Sequence, residues 1–175
     1  MPYRDFESIY SAHARLVYWA AYGVTREHNH ALDVAQTVFL RVFKHLSKLG
    51  DMDDGQLRAW LYRVSVNAAK DLLRKERRLI PSEDVGLTMG VSEAELPESL
   101  LLSKEGRERV KACVSRLPEI YREPILLYYF SELDYRQIAE VLDVNEGTLK
   151  SRMSRARKML YDTLGREGEA LEEIY

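Results

Sequence analysis

The sequence predicts an all-α protein: two small helical domains joined by a flexible acidic linker. Three observations predict it. Apolar residues recur at helical spacing through residues 1–78 and again through 104–165, while strand signals are weak. Residues 79–103 break that period, with Pro81, Gly86, Gly90 and Pro97, five acids and no Lys or Arg. The length of 175 residues suits one medium domain or two small ones, and 46% apolar with 31% charged residues supports packed cores rather than disorder.

The first helix is expected over residues 3–24, with Phe6, Ile9, Tyr10, Leu16, Val17 and Ala20 turned to a core. A second, about 31–48, buries Leu32, Ala35, Phe39, Val42 and Leu46. Asp33, Gln36, Leu40 and Lys44 run along its margin, which is either a docking surface or an ordinary edge between core and solvent. "KLGDMDDGQL" then reads as a loop that shapes a pocket above the next helix.

That third helix, "RAWLYRVSVNAAKDLLRKERR", buries Leu61, Val64, Ala68 and Leu72. Asn67, Asp71, Arg74 and Arg78 recur on another face, beside Arg63 and Lys70. Six cations and two anions between Tyr62 and Arg78 make a basic patch. Trp60 and Tyr62 either stack on unpaired bases there or belong to the core.

Residues 79–103 read as the linker, against the alternative of a long surface loop, because structureless loops above about 15 residues are uncommon in compact domains. Beyond it, Val110, Cys113, Val114 and Leu117 form one apolar stripe, and Ile125, Leu126, Tyr129 and Phe130 close a second small core. Pro118 and Pro124 each suit a first helical turn better than an interior. "LDYRQIAEVLDVNEGTLKSRMSRARKML" divides into a helix-turn-helix. Asp134 and Gln137 have capping-box spacing, Asp143 stands where the turn needs a left-handed residue, and Asn145 caps the second helix.

On that second helix, Leu149, Met153, Ala156 and Leu160 share one narrow, buried wedge. Gly147, Ser151, Ser154, Arg155 and Lys158 lie opposite, flanked by Thr148, Lys150 and Arg152. No acid follows Glu146 as far as Leu160, so the charge is not balanced within the helix. Small residues at the centre let the axis sink into a DNA major groove, where the cations meet phosphates or guanine edges. The bland alternative is a solvated basic face.

The formal charge of −2 and pI near 6.1 exclude a uniformly basic protein, so any nucleic-acid surface is a local patch. The single Cys113 forms no internal disulfide and reads as a core residue of a reducing compartment. The first residues lack a secretory pattern, and no apolar run approaches the roughly 20 residues of a membrane span. A cytoplasmic protein without membrane insertion is expected. His28 and His30 have poor ligand spacing, and no phosphate-cradling loop or nucleophile elbow is present. We therefore expect no metal, no cofactor and no catalytic residue.

Together, "ALDVAQTVFLRVFKHL", the basic third helix, and "LPEIYREPILLYYFSELDYRQIAEVLDVNEGTLKSRMSRARKML" resemble the bacterial RNA polymerase sigma factors of the extracytoplasmic-function (ECF, group IV) family. The resemblance covers most of residues 5–78 and 104–164, in family order. It implies a sigma-2 helical bundle (1–78), a linker (79–103), a sigma-4 helix-turn-helix (104–165) and a tail (166–175). It implies core RNA polymerase and promoter DNA as partners, with an anti-sigma protein as inhibitor.

By position, Asp33, Gln36, Leu40, Arg41 and Lys44 would grip polymerase. Arg63, Asn67, Lys70, Asp71, Arg74 and Arg78, with the loop 49–57, would open and hold the −10 strand. The helix from Glu146 to Lys158 would read the −35 element, and the acidic linker would mimic nucleic acid in a polymerase channel. Asp143 departs from the family's usual Gly, and the tail "GREGEALEEIY" lies outside the family core, as a frayed end or a partner contact. The alternative is a helix-turn-helix regulator that works without polymerase docking. An interaction protein that binds acidic partners is the third reading.

Overall fold

Eight helices and no strand make up the described residues of the computed structural model, 5–79 and 104–164. The linker expected at 79–103 lies outside them beyond Leu79, as does the tail at 166–175.

Helix α1 spans Phe6–Thr25. Its N-cap Asp5 accepts from the Ser8 N–H at 2.8 Å, and that donation holds the carboxyl below its ordinary range. It ends at Arg26, left-handed at φ 57°, whose N–H returns to the Tyr22 carbonyl at 2.8 Å. Helix α2, His28–Lys44, starts three residues earlier than its apolar period suggests. The reason is Glu27, whose carboxylate accepts from the Asn29 and His30 N–H groups at 2.9 and 2.7 Å. Partial burial works against charge on Glu27, but those donors outweigh it and the carboxyl titrates below its usual range.

Two core expectations fail. Leu32 is exposed (46%) and Ala31 and Val34 are buried in its stead, whereas Phe39 and Val42 are buried as expected. Small Ala31, fully buried, replaces Leu32 at the inward position. Tyr10 is also half exposed, although its ring meets that of Phe39 at 4.7 Å.

The expected loop at 49–57 is shorter than its composition suggests. A short α3, Leu46–Leu49, closes one end. Helix α4, Asp54–Leu79, opens at the other, where Asp53 and Gln56 cap reciprocally at 2.8 and 3.3 Å. Helices α1, α2 and α4 pack around Val17, Val34, Leu57 and Leu61.

The second bundle comprises α5 (Lys104–Arg116), α6 (Glu119–Phe130), α7 (Tyr135–Leu142) and α8 (Glu146–Leu164). Pro118 is the N-cap of α6, but Pro124 lies inside that helix rather than in its first turn. Its ring is buried among core residues, and the hydrogen bond it cannot donate falls on Ile120, near the exposed start of the helix. Asp134 and Gln137 form a complete capping box on α7, and Asp143 is left-handed at φ 54°, ψ 49°. Asn145 accepts from the Thr148 N–H at 2.7 Å to start α8. Cys113 is buried.

The two bundles share one core. Helix α6 lies on α1, and α7 on α4. A Cβ on Gly23 would stand 3.3 Å from Leu126 Cδ1, so the small residue admits α6.

Candidate nucleic-acid interface

Helix α8 turns Leu149, Met153, Ala156 and Leu160 into the core, at 0–3% exposure. That anchoring faces Gly147, Lys150, Ser151, Ser154, Arg155 and Lys158 to solvent, with Thr148 and Arg152 half-buried at the edges. An open concavity of about 470 Å³ runs beside this face. Gly147, Ser151, Arg152 and Arg155 wall one side, and Ile120 and Tyr121 of α6 contribute the other. Cations beside small residues on an exposed helix give a face that can approach a polyanion closely.

Arg157 escaped sequence reasoning. Its Nε donates to the Tyr129 hydroxyl at 3.1 Å and its Nη2 to that of Tyr135 at 3.0 Å. Its guanidinium also lies 5.9 Å from the ring centres of Tyr128 and Tyr129. These tyrosines come from α6 and α7, so no local pattern announces the site.

Arg63, Asn67, Lys70, Asp71, Arg74 and Arg78 are all exposed along α4. They are not equivalent. Asp71 accepts from Arg74 at 3.2 Å, and Lys70 faces Glu119 of α6 at 3.5 Å. Tyr62 is buried and Trp60 half-buried, so neither offers an open stacking platform in this arrangement.

On α2, Asp33, Gln36, Leu40, Arg41 and Lys44 are exposed. Leu32 (46%), Leu40 (58%) and Phe43 (66%) form an apolar stripe at helical spacing beside Gln36. Phe43 was missed, although its position three residues after Leu40 was a usable signal. No described helix is long and apolar enough to cross a membrane, and no group of metal-binding side chains occurs among the described residues.

Known families cover both bundles. The profile for Sigma-70 region 2 matches residues 9–79, and that for Sigma-70 region 4 matches 107–160. The ECF RNA polymerase sigma-E factor of Escherichia coli (strain K12) is 35% identical over a 136-residue alignment that covers 73% of this chain and 70% of that protein. The ECF RNA polymerase sigma factor SigM of Bacillus subtilis (strain 168) is 28% identical over 155 residues, 88% of this chain and 91% of its own.

Two solved structures share the fold. One is CnrH in complex with the cytosolic domain of CnrY, with TM-score 0.60, 23% identity, and coverage of 91% of this chain and 86% of that one. The other is the sigma factor RpoE in complex with the anti-sigma factor NepR from Bartonella quintana, with TM-score 0.61, 24% identity, and coverage of 90% and 94%. The region 2 match, on a bundle that a simple helix-turn-helix regulator does not need, disfavours that alternative. The chain belongs to the ECF RNA polymerase sigma factors, and it directs RNA polymerase in promoter recognition.

Proposed function

We propose a division of labour among three surfaces. The face of α8 from Gly147 to Lys158 enters the major groove at the −35 element. Arg152 and Arg155 reach guanine edges or phosphates, and the small residues let the axis approach. Arg63, Asn67, Lys70, Asp71, Arg74 and Arg78 of α4 hold the −10 strand once it is unpaired, with cations along the backbone. Asp33, Gln36, Leu40, Arg41 and Lys44 of α2 dock core RNA polymerase, helped by the apolar stripe through Phe43. The domain limits are 1–78, 79–103 and 104–165, with a tail at 166–175.

The chain supplies no bond chemistry in this scheme; polymerase makes the phosphodiester bonds, in the cytoplasm. An anti-sigma protein is a fitting regulator, because both structural neighbours were solved with such a protein or a cytosolic domain bound.

The observation that carries this reading is the solvent-facing row of small and cationic residues on a helix whose opposite side is wholly buried. Site-specific photocrosslinkers in a polymerase complex test it. A probe at Ser151 should label the −35 duplex and one at Asn67 the −10 strand. Labelling of the two elements in the reverse order would overturn the assignment.

A further inference from the structure

We propose that Ile120 reads sequence: its side chain packs on the C5-methyl group of a thymine at the wall of the major groove, so the chain favours an A·T pair at one position of the −35 element. This rests on the reading of α8 given above and extends it to a residue of a second helix.

Ile120 stands beside the face that meets duplex in that reading. It lies in the first turn of α6 and lines the concavity of about 470 Å³ next to α8. Gly147, Ser151 and Arg155, the centre of the exposed α8 face, line the same concavity. An α-helix about 10–12 Å across fills a major groove about 12 Å wide. A side chain that rises beside such a helix therefore meets base edges at the groove wall.

The apolar surface of Ile120 is left over from folding. Pro124 and Leu127, one and two turns further along the same face of α6, are buried. Ile120 continues that stripe past the end of the core and is 49% exposed. It is the only wholly apolar side chain that lines the concavity; the others are polar, cationic, glycine or the half-buried Tyr121.

The charges on α6 decide between a phosphate and a base as its partner. A wall built for phosphate carries cations. The residue before Ile120 is Glu119, exposed, which brings an acid instead. Arg122, two residues on, is 3% exposed and turned away. Its Nε donates to the Gly23 carbonyl and its Nη1 to the Leu117 carbonyl, each at 2.6 Å. The α8 side thus supplies the cations, and the α6 side supplies an apolar contact. The apolar group that base edges present in the major groove is the thymine methyl. Cytosine presents an amino donor instead, which an aliphatic side chain would leave unpaired. Discrimination against C·G at this position follows from the same contact.

The test uses the polymerase complex with the full chain, on an upstream element taken from its run-off starts. Each thymine of the element is replaced in turn by deoxyuridine, which removes the methyl group and keeps the hydrogen-bonding edge. At one thymine the parent complex should lose about fourfold in affinity, the effect of leaving one methyl group uncovered. Ile120→Ala should bind the thymine and uridine duplexes alike, at an unchanged melting point, and Ile120→Val should fall between. A uridine cost at no position would overturn the proposal. So would a cost that persists in Ile120→Ala, or one that disappears instead in Thr148→Ser, the other methyl-bearing residue of the concavity. An equal loss on both duplexes in Ile120→Ala, with no uridine cost in the parent, would put the side chain on sugar and overturn it as well. If Arg155→Ala leaves duplex binding unchanged, the reading of α8 itself fails. If Arg155→Ala weakens binding while uridine costs nothing, the assignment of Ile120 alone fails.

Discussion

Arg157 donates to the Tyr135 hydroxyl at 3.0 Å and thereby ties the middle of α8 to the first residue of α7. The same guanidinium reaches Tyr129 on α6, so one side chain fixes the recognition helix to both neighbours. Arg157→Ala removes two hydrogen bonds and the ring contacts, a loss of about 1–3 kcal/mol. A melting point lower by roughly 2–12 °C is expected for a chain of this size. Calorimetry checks it, and Arg157→Lys should recover little, because an ammonium cannot reproduce the planar fork.

Asp143 occupies the helix-helix turn at φ 54°. Asp tolerates that region better than most residues, yet Gly would relieve strain of about 1–2 kcal/mol. Gly also adds unfolded-chain freedom worth about 0.4–1 kcal/mol, so Asp143→Gly should be net stabilising by several tenths to 1 kcal/mol. Asp143→Val should destabilise, since a β-branched residue resists positive φ. Denaturant midpoints with unchanged slopes would register both changes.

Arg155 and Asn67 should separate the two DNA contacts. Arg155→Ala is expected to weaken binding to the upstream element by about 1–3 kcal/mol, roughly 5- to 150-fold, with polymerase affinity unchanged. Asn67→Ala should leave duplex binding in place and slow strand opening, read by permanganate reactivity of unpaired thymines. Unchanged transcription in both variants would refute these assignments.

Leu40 is 58% exposed, so replacing it should cost little stability. If α2 is the polymerase dock, Leu40→Glu places an unpaired charge in the centre of an apolar contact. Affinity for core polymerase should fall at least tenfold, measured by fluorescence anisotropy of a labelled chain, while the melting point holds.

The contact between the two bundles should respond to pH through Glu123. Burial pushes this carboxyl above its ordinary value of 4.5, and Glu119 nearby pushes the same way. The Tyr62 hydroxyl, Lys70 and Arg122 oppose that shift without cancelling it. Since the folded form favours the protonated acid, its contribution to stability is full below 4.5 and is lost as pH rises through the higher folded value. The melting point should therefore fall as pH rises over that window, and Glu123→Gln should flatten the response.

Local signals carried the helix-turn-helix well. The capping box at Asp134, the left-handed Asp143 and the buried wedge of α8 depend on residues within a few positions of one another. The first turn of α2 was harder to read than Phe39 and Val42 further along, because Leu32 looks like core and Ala31 does not, yet the smaller residue is the buried one. The helical start at Asp54 was obscured by the Asp and Gly content that also caps helices. Arg122, Glu123 and Arg157 were out of reach, since their partners sit on other helices and only the tertiary fold brings them together.

The central claim is that this chain confers promoter choice on polymerase. Run-off transcription with purified core polymerase over a library of genomic fragments tests it most directly. The account predicts discrete transcript starts that appear only with the chain added and vanish with Arg155→Ala combined with Asn67→Ala. An identical start profile with and without the chain would contradict it.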